Sequence, residues 1–359
     1  MVFFAGIALV TLFAACEGKK ETTESGAYDD NGNLRVGVIW RRFDDDFQAG
    51  FRSIMENEAK RMGKFALNMQ DGEFDVSKAN NKLDTLIASG YQYLALLVIE
   101  PNAAEYMMNK CKQSNLPVVF FNTQPRDDVM ASYNRTWYVG ARPEESGTYS
   151  AKVLVDYWKN NTAKADKNGD GKLQLIIIQG EIGHNDVALR TQAYHDTLQA
   201  AGIPYEVVKQ DTAEWLKDKA QDKMQAYLTE LGEKGIEGVL CNSDGMAIGV
   251  VNACLQNGFN TGPDAPFIPV CGIDATIEAL EAMKTGALLG TCLNDRAAQS
   301  QAVLNIIRSL SEGNENITTS VVNVPGSTVD GKYIWVPYKG VDASNLDSVL
   351  EEVTGQQVQ

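Results

Sequence analysis

Carboxylates and amides recur in this sequence where apolar runs end. Asp44, Asp45 and Asp46 follow the first such run; Asn122, His184 with Asp186, the stretch Asn242, Ser243 and Asp244, Asp274, and Asn294 with Asp295 follow later ones. Arg190 lies one helical turn beyond Asp186, and Phe43, Phe47 and Trp215 stand beside the polar positions. This inventory suits a neutral polyol. Each hydroxyl both donates and accepts, so acids, amides, a guanidinium fork and flat aromatic rings form a complementary surface. Catalysis is poorly served. There are only two histidines, His184 and His195, and no GxSxG elbow, Walker loop, GxGxxG turn or HExxH pair, so no nucleophile, activated water or cofactor cradle is evident. Two exit carboxylates acting as acid and base on a glycosidic bond are the remaining enzymatic alternative. We expect a binding protein and not an enzyme.

Each polar position also has an ordinary structural explanation. Asp45 and Asp46 suit the cap of a helix beginning near Phe47. Asp186 and Arg190 have the spacing of a surface helical ion pair, and Asn122, Asp274 and Asn294 suit Asx turns. A second constellation is sharper. Asp166, Asn168, Asp170, Gly171, Lys172 and Gln174 reproduce the first nine positions of an EF-hand calcium loop, with Lys172 contributing its carbonyl. The twelfth position, normally a bidentate Glu, is Ile177 in an apolar run, so a complete calcium shell needs a carboxylate from elsewhere. An acidic Asx-turn loop without metal is the alternative.

The elements that position these residues alternate. Strand-like runs at 34–40, 64–70, 93–99 and 117–122 are separated by amphipathic helical stretches, and the pattern resumes after Gly140 with runs at 173–178, 203–208, 236–242, 267–273 and 287–294. Continuous apolar strands between helices imply parallel sheets covered on both faces. Two open sheets follow, and the runs at 90–104 and 234–248 share one design of polar entry, buried strand, polar exit and helix. The fold class is therefore α/β with two lobes. In open parallel sheets, ligands collect beyond the carboxyl ends of the strands, where the polar residues named above lie.

The 359 residues suit two lobes with their own cores. Formal charge is -15, from 47 acidic against 32 basic residues, which disfavours a nucleic-acid partner. Residues 2–15 form an uncharged apolar run ending in Ala14, Ala15 and Cys16, too short to span a bilayer and shaped like a signal peptide. We expect residues 1–16 to be a signal peptide with lipid attachment at Cys16, although Phe13 replaces the usual Leu and no cation precedes the run. A plain secretory signal is the alternative. Residues 17–33 are polar and read as a flexible tether. The other five cysteines lie singly in apolar contexts and read as buried free thiols.

With these residues assembled, the chain resembles the bacterial galactose/glucose-binding proteins of ABC importers, from about Leu34 to Leu346. The markers are FDDDF at 43–47, PVVFFN at 117–122, DKNGDGKLQ at 166–174, GEIGHNDVALR at 180–190, DTAEW at 211–215, CGIDA at 271–275 and LND at 293–295. The resemblance implies that Asp45 and Asn122 hold sugar hydroxyls from one lobe, and His184, Asp186, Arg190, Asp274 and Asn294 hold others. Phe47 and Trp215 would sandwich the pyranose faces. It also implies a periplasmic-binding-protein fold, with a sugar-binding lobe of 34–139 plus 296–336 and a sugar- and calcium-binding lobe of 140–295 plus 337–359. Three crossing strands near 139–142, 294–296 and 336–339 would be the hinge, and Glu237 would complete the calcium shell.

Two departures bear on the sugar. Ser243 stands where the family has Asn, and Arg41 where it has Tyr. The implied function is capture of D-glucose or D-galactose by hinge closure and delivery to an importer permease. The protein would be a monomer in the periplasm or cell envelope, touching the membrane only through its lipid anchor. Alternatives are a sensor for a chemoreceptor or membrane kinase, or a binding protein for another monosaccharide. A LacI-type regulator would need an N-terminal DNA-binding module, where this chain carries a signal and tether.

Overall fold

The computed structural model describes residues 26–358; the signal segment and Cys16 lie outside them. Five strands open the fold: β1 (Leu34–Trp40), β2 (Phe65–Asp71), β3 (Tyr93–Leu96), β4 (Val118–Phe121) and β5 (Thr136–Gly140). Four more follow in a second body: β6 (Leu173–Gln179), β7 (Tyr205–Thr212), β8 (Gly238–Cys241) and β9 (Val270–Cys271). The chain ends with β10 (Thr291–Leu293), β11 (Thr328–Asp330), β12 (Tyr333–Trp335) and β13 (Lys339–Val341) before a last helix.

The first sheet runs β11-β12-β5-β4-β3-β1-β2 and is parallel except for the β11–β12 hairpin. The second runs β7-β6-β8-β9 and is wholly parallel. Strand β10 joins its edge through bridges from Gly290 to Cys271 and from Leu293 to Asp274, and pairs antiparallel with β13. The apolar runs form strands because helices cover both faces. Val36 and Val38 of β1 pack on one side with Phe51, Ile306 and Ile307, while Ile39 packs on the other with Leu83 and Leu86. Gly37 lets Leu86 pack close to the strand, since a Cβ there would fall 2.9 Å from a Leu86 methyl and displace it.

The chain passes between the two bodies three times, after β5, after β10 and after β12. The helix Arg296–Ser311 returns to the first sheet, where Ala302, Val303 and Leu310 enter its core, and the helix Leu346–Val358 returns to the second, with Val349 and Val353 buried. Several strands are shorter than their apolar runs. The run at 267–273 yields only β9 and that at 287–294 only β10, because the edge of the second sheet is paired by single bridges there. The run at 203–208 is displaced to β7, which extends to Thr212.

The described part of the expected tether is docked. Ala27 is buried, its carbonyl accepts from the Arg35 amide at 2.7 Å, and Tyr28 bridges to Leu34. Polar composition alone could not reveal this turn, which Asp29 holds by accepting from the amides of Asn31 and Asn33. The five described cysteines are free and buried, as expected.

Candidate functional site

The carboxyl ends of both sheets face one cavity of about 750 Å³. All ten sugar-binding candidates line it: Asp45, Phe47 and Asn122 from the first body, and His184, Asp186, Arg190, Trp215, Ser243, Asp274 and Asn294 from the second. Phe43 does not; it lies beneath the Arg52 guanidinium, 3.9 Å from it.

Local backbone chemistry presents several of these groups. Asp45 caps the helix Asp46–Met62 by accepting from the Gln48 amide at 2.8 Å through Oδ1, so the capping role coexists with a place in the cavity. Ser243 caps the helix Asp244–Gln256 in the same way. His184 caps the helix Asn185–Ala200: its Nδ1 accepts from the Asp186 amide at 3.2 Å, which leaves the proton on Nε2. Three candidates occupy the left-handed region, Asn122 at φ 62°, Trp215 at φ 65° and Asp274 at φ 127°. Non-glycine residues pay for such a backbone, and the strain concentrates here at a site.

Hydrogen bonds fix the polar ring. Arg190 is 5% exposed; it donates to the Asn242 carbonyl at 2.7 Å and to the Tyr338 hydroxyl at 2.9 Å, and lies 3.4 Å from Asp186. Tyr338 belongs to the third crossing segment, so the fork is tied to the connection between the bodies. Asn294 donates to Asp274 at 3.3 Å and accepts from Gln299 at 2.6 Å, which makes it partly a support for Asp274. Trp215 meets the His184 ring edge-on at 5.4 Å, and its Nε1 is buried without a partner. A Cβ on Gly180 would fall 2.2 Å from the Trp215 ring, so glycine there admits the indole.

Burial shapes the charges. It raises the carboxyls of Asp45 and Asp274, opposed at Asp45 by the Gln48 amide and Arg41, and at Asp274 by Arg190. It lowers His184, against the pull of Asp186, which keeps the imidazole neutral at neutral pH. The buried donors left without a partner among the lining residues are Arg41 Nε, Arg190 Nε, Trp215 Nε1 and Arg296 Nη2.

Arg41, noted in the sequence as a departure, lines the cavity, and among the lining residues that sequence reasoning missed are Glu181, Lys217 and Arg296. Arg41 is ion-paired with Glu181 across the two bodies, and Lys217 reaches Asp46 of the opposite body at 3.3 Å and Glu278 of its own at 2.7 Å. Arg296 lines the cavity at 2% exposure. Its signal was a cation at the first position of a helix, where the macrodipole disfavours one.

The loop at 166–174 lies apart from the cavity lining. Asp166 accepts from the amides of Gly169 and Gly171 at 2.8 and 3.0 Å, Asn168 from that of Asp170 and Asp170 from that of Lys172. Glu237 is fully buried against it, accepting from the amides of Lys167 at 2.5 Å and Gln174 at 3.0 Å. The Gln174 Oε1 is buried with no partner. Among the described residues no three His, Cys, Asp or Glu side chains cluster to hold a metal by themselves. The loop adds amide and carbonyl oxygens to its acids, and that all-oxygen set with an orphaned acceptor fits a hard cation such as calcium.

A family model for the periplasmic binding protein domain matches residues 36–315. The chain belongs to the periplasmic binding protein family. It is 35% identical over 317 residues to the D-galactose/methyl-galactoside binding periplasmic protein MglB of Haemophilus influenzae, covering 88% of this chain and 92% of that one. It is 27% identical over 316 residues, 87% of this chain and 91% of the relative, to a putative rhizopine-binding protein of Rhizobium meliloti. Among solved structures, the binding component of an arabinose ABC transporter from Shewanella superposes with a TM-score of 0.75 at 17% identity, over 90% of this chain and 97% of that one. The two-sheet α/β fold is thus the periplasmic binding protein fold, and the family is one of binding proteins and not of enzymes.

Proposed function

We propose that this binding protein captures a neutral aldohexopyranose of the D-glucose or D-galactose type between its two lobes and delivers it to the permease of an ABC importer. The observation that carries the reading is the cavity itself: acids, amides, guanidinium groups and two aromatic rings from distant parts of the chain converge on one space with several donors unpartnered. The resemblance to the galactose-binding relative supports the sugar class. The lobes correspond to 34–139 plus 296–336 and 140–295 plus 337–359, and closure bends the three crossings. Closing the cleft excludes water and strengthens each hydrogen bond to the ligand.

Calcium in the loop would be held by Asp166, Asn168, Asp170, the Lys172 carbonyl, Gln174 and Glu237. When bound it supplies a structural cross-link between the loop and the strand entry at Glu237. Lipidation at Cys16 would hold the protein at the envelope surface. Calorimetry against a panel of monosaccharides tests the sugar reading. Heat with glucose or galactose supports it, and silence with every hexose defeats it.

A further inference from the structure

Arg296 is an expensive residue to keep. It opens the helix Arg296–Ser311, where exposed amides already make the local potential positive. It is 2% exposed, and burial pulls its guanidinium down against the opposing fields of Asp274, Asp244 and Asp295. No ion pair joins it to a described residue, and its Nη2 is buried without a hydrogen-bond partner. A buried charged donor left unpaired costs several times a surface one. Its guanidinium stands 5.5 Å from the centre of the Phe47 ring.

The neighbours of Arg296 are organised around the cavity. Gln299, one turn on, donates to Asn294, and Asn294 donates to Asp274. Those two bonds orient Asp274 and leave Arg296 as the unmatched donor beside it. Cations and carboxylates both line the cavity, and the carboxylates outnumber the cations. A sugar acid would therefore meet net repulsion, whereas a hydroxyl oxygen can accept from the guanidinium without adding charge.

We infer that Arg296 is a specificity-determining contact whose free Nη2–H donates to one hydroxyl oxygen of the bound neutral pyranose near Phe47. The inference rests on the sugar-binding reading and adds a residue to it. Its physical consequence is selective. A site built around a fixed donor rejects an analogue lacking the matching oxygen far more strongly than a merely apolar pocket does.

The test is calorimetry of the full chain and of Arg296→Gln and Arg296→Lys, using the best-bound hexose, its monodeoxy analogues and the corresponding uronic acid. Arg296→Gln is expected to weaken the parent hexose by about 10- to 100-fold, the value of a hydrogen bond to a charged group. One deoxy sugar should bind the wild type and Arg296→Gln alike, and Arg296→Lys should recover part of the loss. Parent affinity within about twofold of wild type, or an equal loss against every deoxy analogue, overturns the contact. A uronic acid that binds the wild type more tightly than the hexose overturns the neutral-ligand assignment. If Arg296→Gln does not fold, the Lys variant decides: an unchanged deoxy profile with unchanged affinity rejects the contact. A wild type silent to all sugars would instead sink the sugar reading itself, and this inference with it.

Discussion

The cavity and the acidic loop are both built from oxygen-rich side chains, yet they differ in how their polar atoms are spent. In the loop, nearly every acid accepts from a backbone amide a few residues away, and only Glu237 comes from a distance. In the cavity, Arg190, Trp215 and Arg296 retain unpartnered buried donors, and three residues hold left-handed backbones. A loop whose acids are held by its own amides is a stiff element of its lobe, with the Gln174 Oε1 left over for a cation; a cavity that leaves several donors unsatisfied is prepared for a larger ligand.

The sharpest way to break this comparison is Arg190→Ala. It strips two hydrogen bonds from Asn242 and Tyr338 and leaves the half-buried Asp186 without its cation, so hexose affinity should fall about 1,000-fold or more. Calcium affinity, measured on the same variant, should stay unchanged; a matching loss would show that the two regions are one.

Chelation probes the other region. If free calcium stands about a thousandfold above its dissociation constant, its removal withdraws roughly 4 kcal/mol, which lowers the melting temperature by on the order of 10 °C. Hexose titration of the chelated protein at low temperature should still give near-native affinity. Glu237→Gln should reproduce the lowered melting temperature, and an unchanged melting curve in both experiments would remove calcium from the account.

A pH experiment separates strain from support within the cavity. Burial raises the Asp274 carboxyl in the folded state. A raised carboxyl favours folding at low pH, and that contribution drains as pH climbs from about 4, the unfolded value, through the higher folded one. The ligand-free Asp274→Asn variant should therefore lose less stability than wild type between about pH 5 and about pH 8, while binding hexose far more weakly. A steeper stability loss in the variant than in wild type contradicts the assignment.

The smallest effect is expected at the rim. Arg41→Ala cuts the contact to Glu181 that joins the lobes. Hexose dissociation should quicken a few-fold, less so at high salt, as for partly exposed pairs. Stopped-flow release at two salt concentrations checks it.

Much of this was legible beforehand because it is local. Period and apolar runs placed most strands, since a parallel strand covered on both faces must be continuously apolar, and the loop was readable because its spacing is fixed by one turn of chain. The short edge strands β9 and β10 misled for the same reason: their apolar character serves the core even where pairing stops. The turn at 26–33 was read as tether because its burial depends on Arg35 and Leu34 and not on its own composition.

Sequence alone thus determined the alternation of strand and helix, the polar residues at strand exits and the oxygen set of the loop. Only the tertiary structure decided that Tyr338 anchors Arg190, that Arg41 meets Glu181 across the lobes, that Gly180 makes room for Trp215, and that Arg296 stands in the cavity with a donor to spare. Those pairings join residues far apart in the chain. Periodicity carries no trace of them, because they are set by which strand ends the two sheets bring face to face.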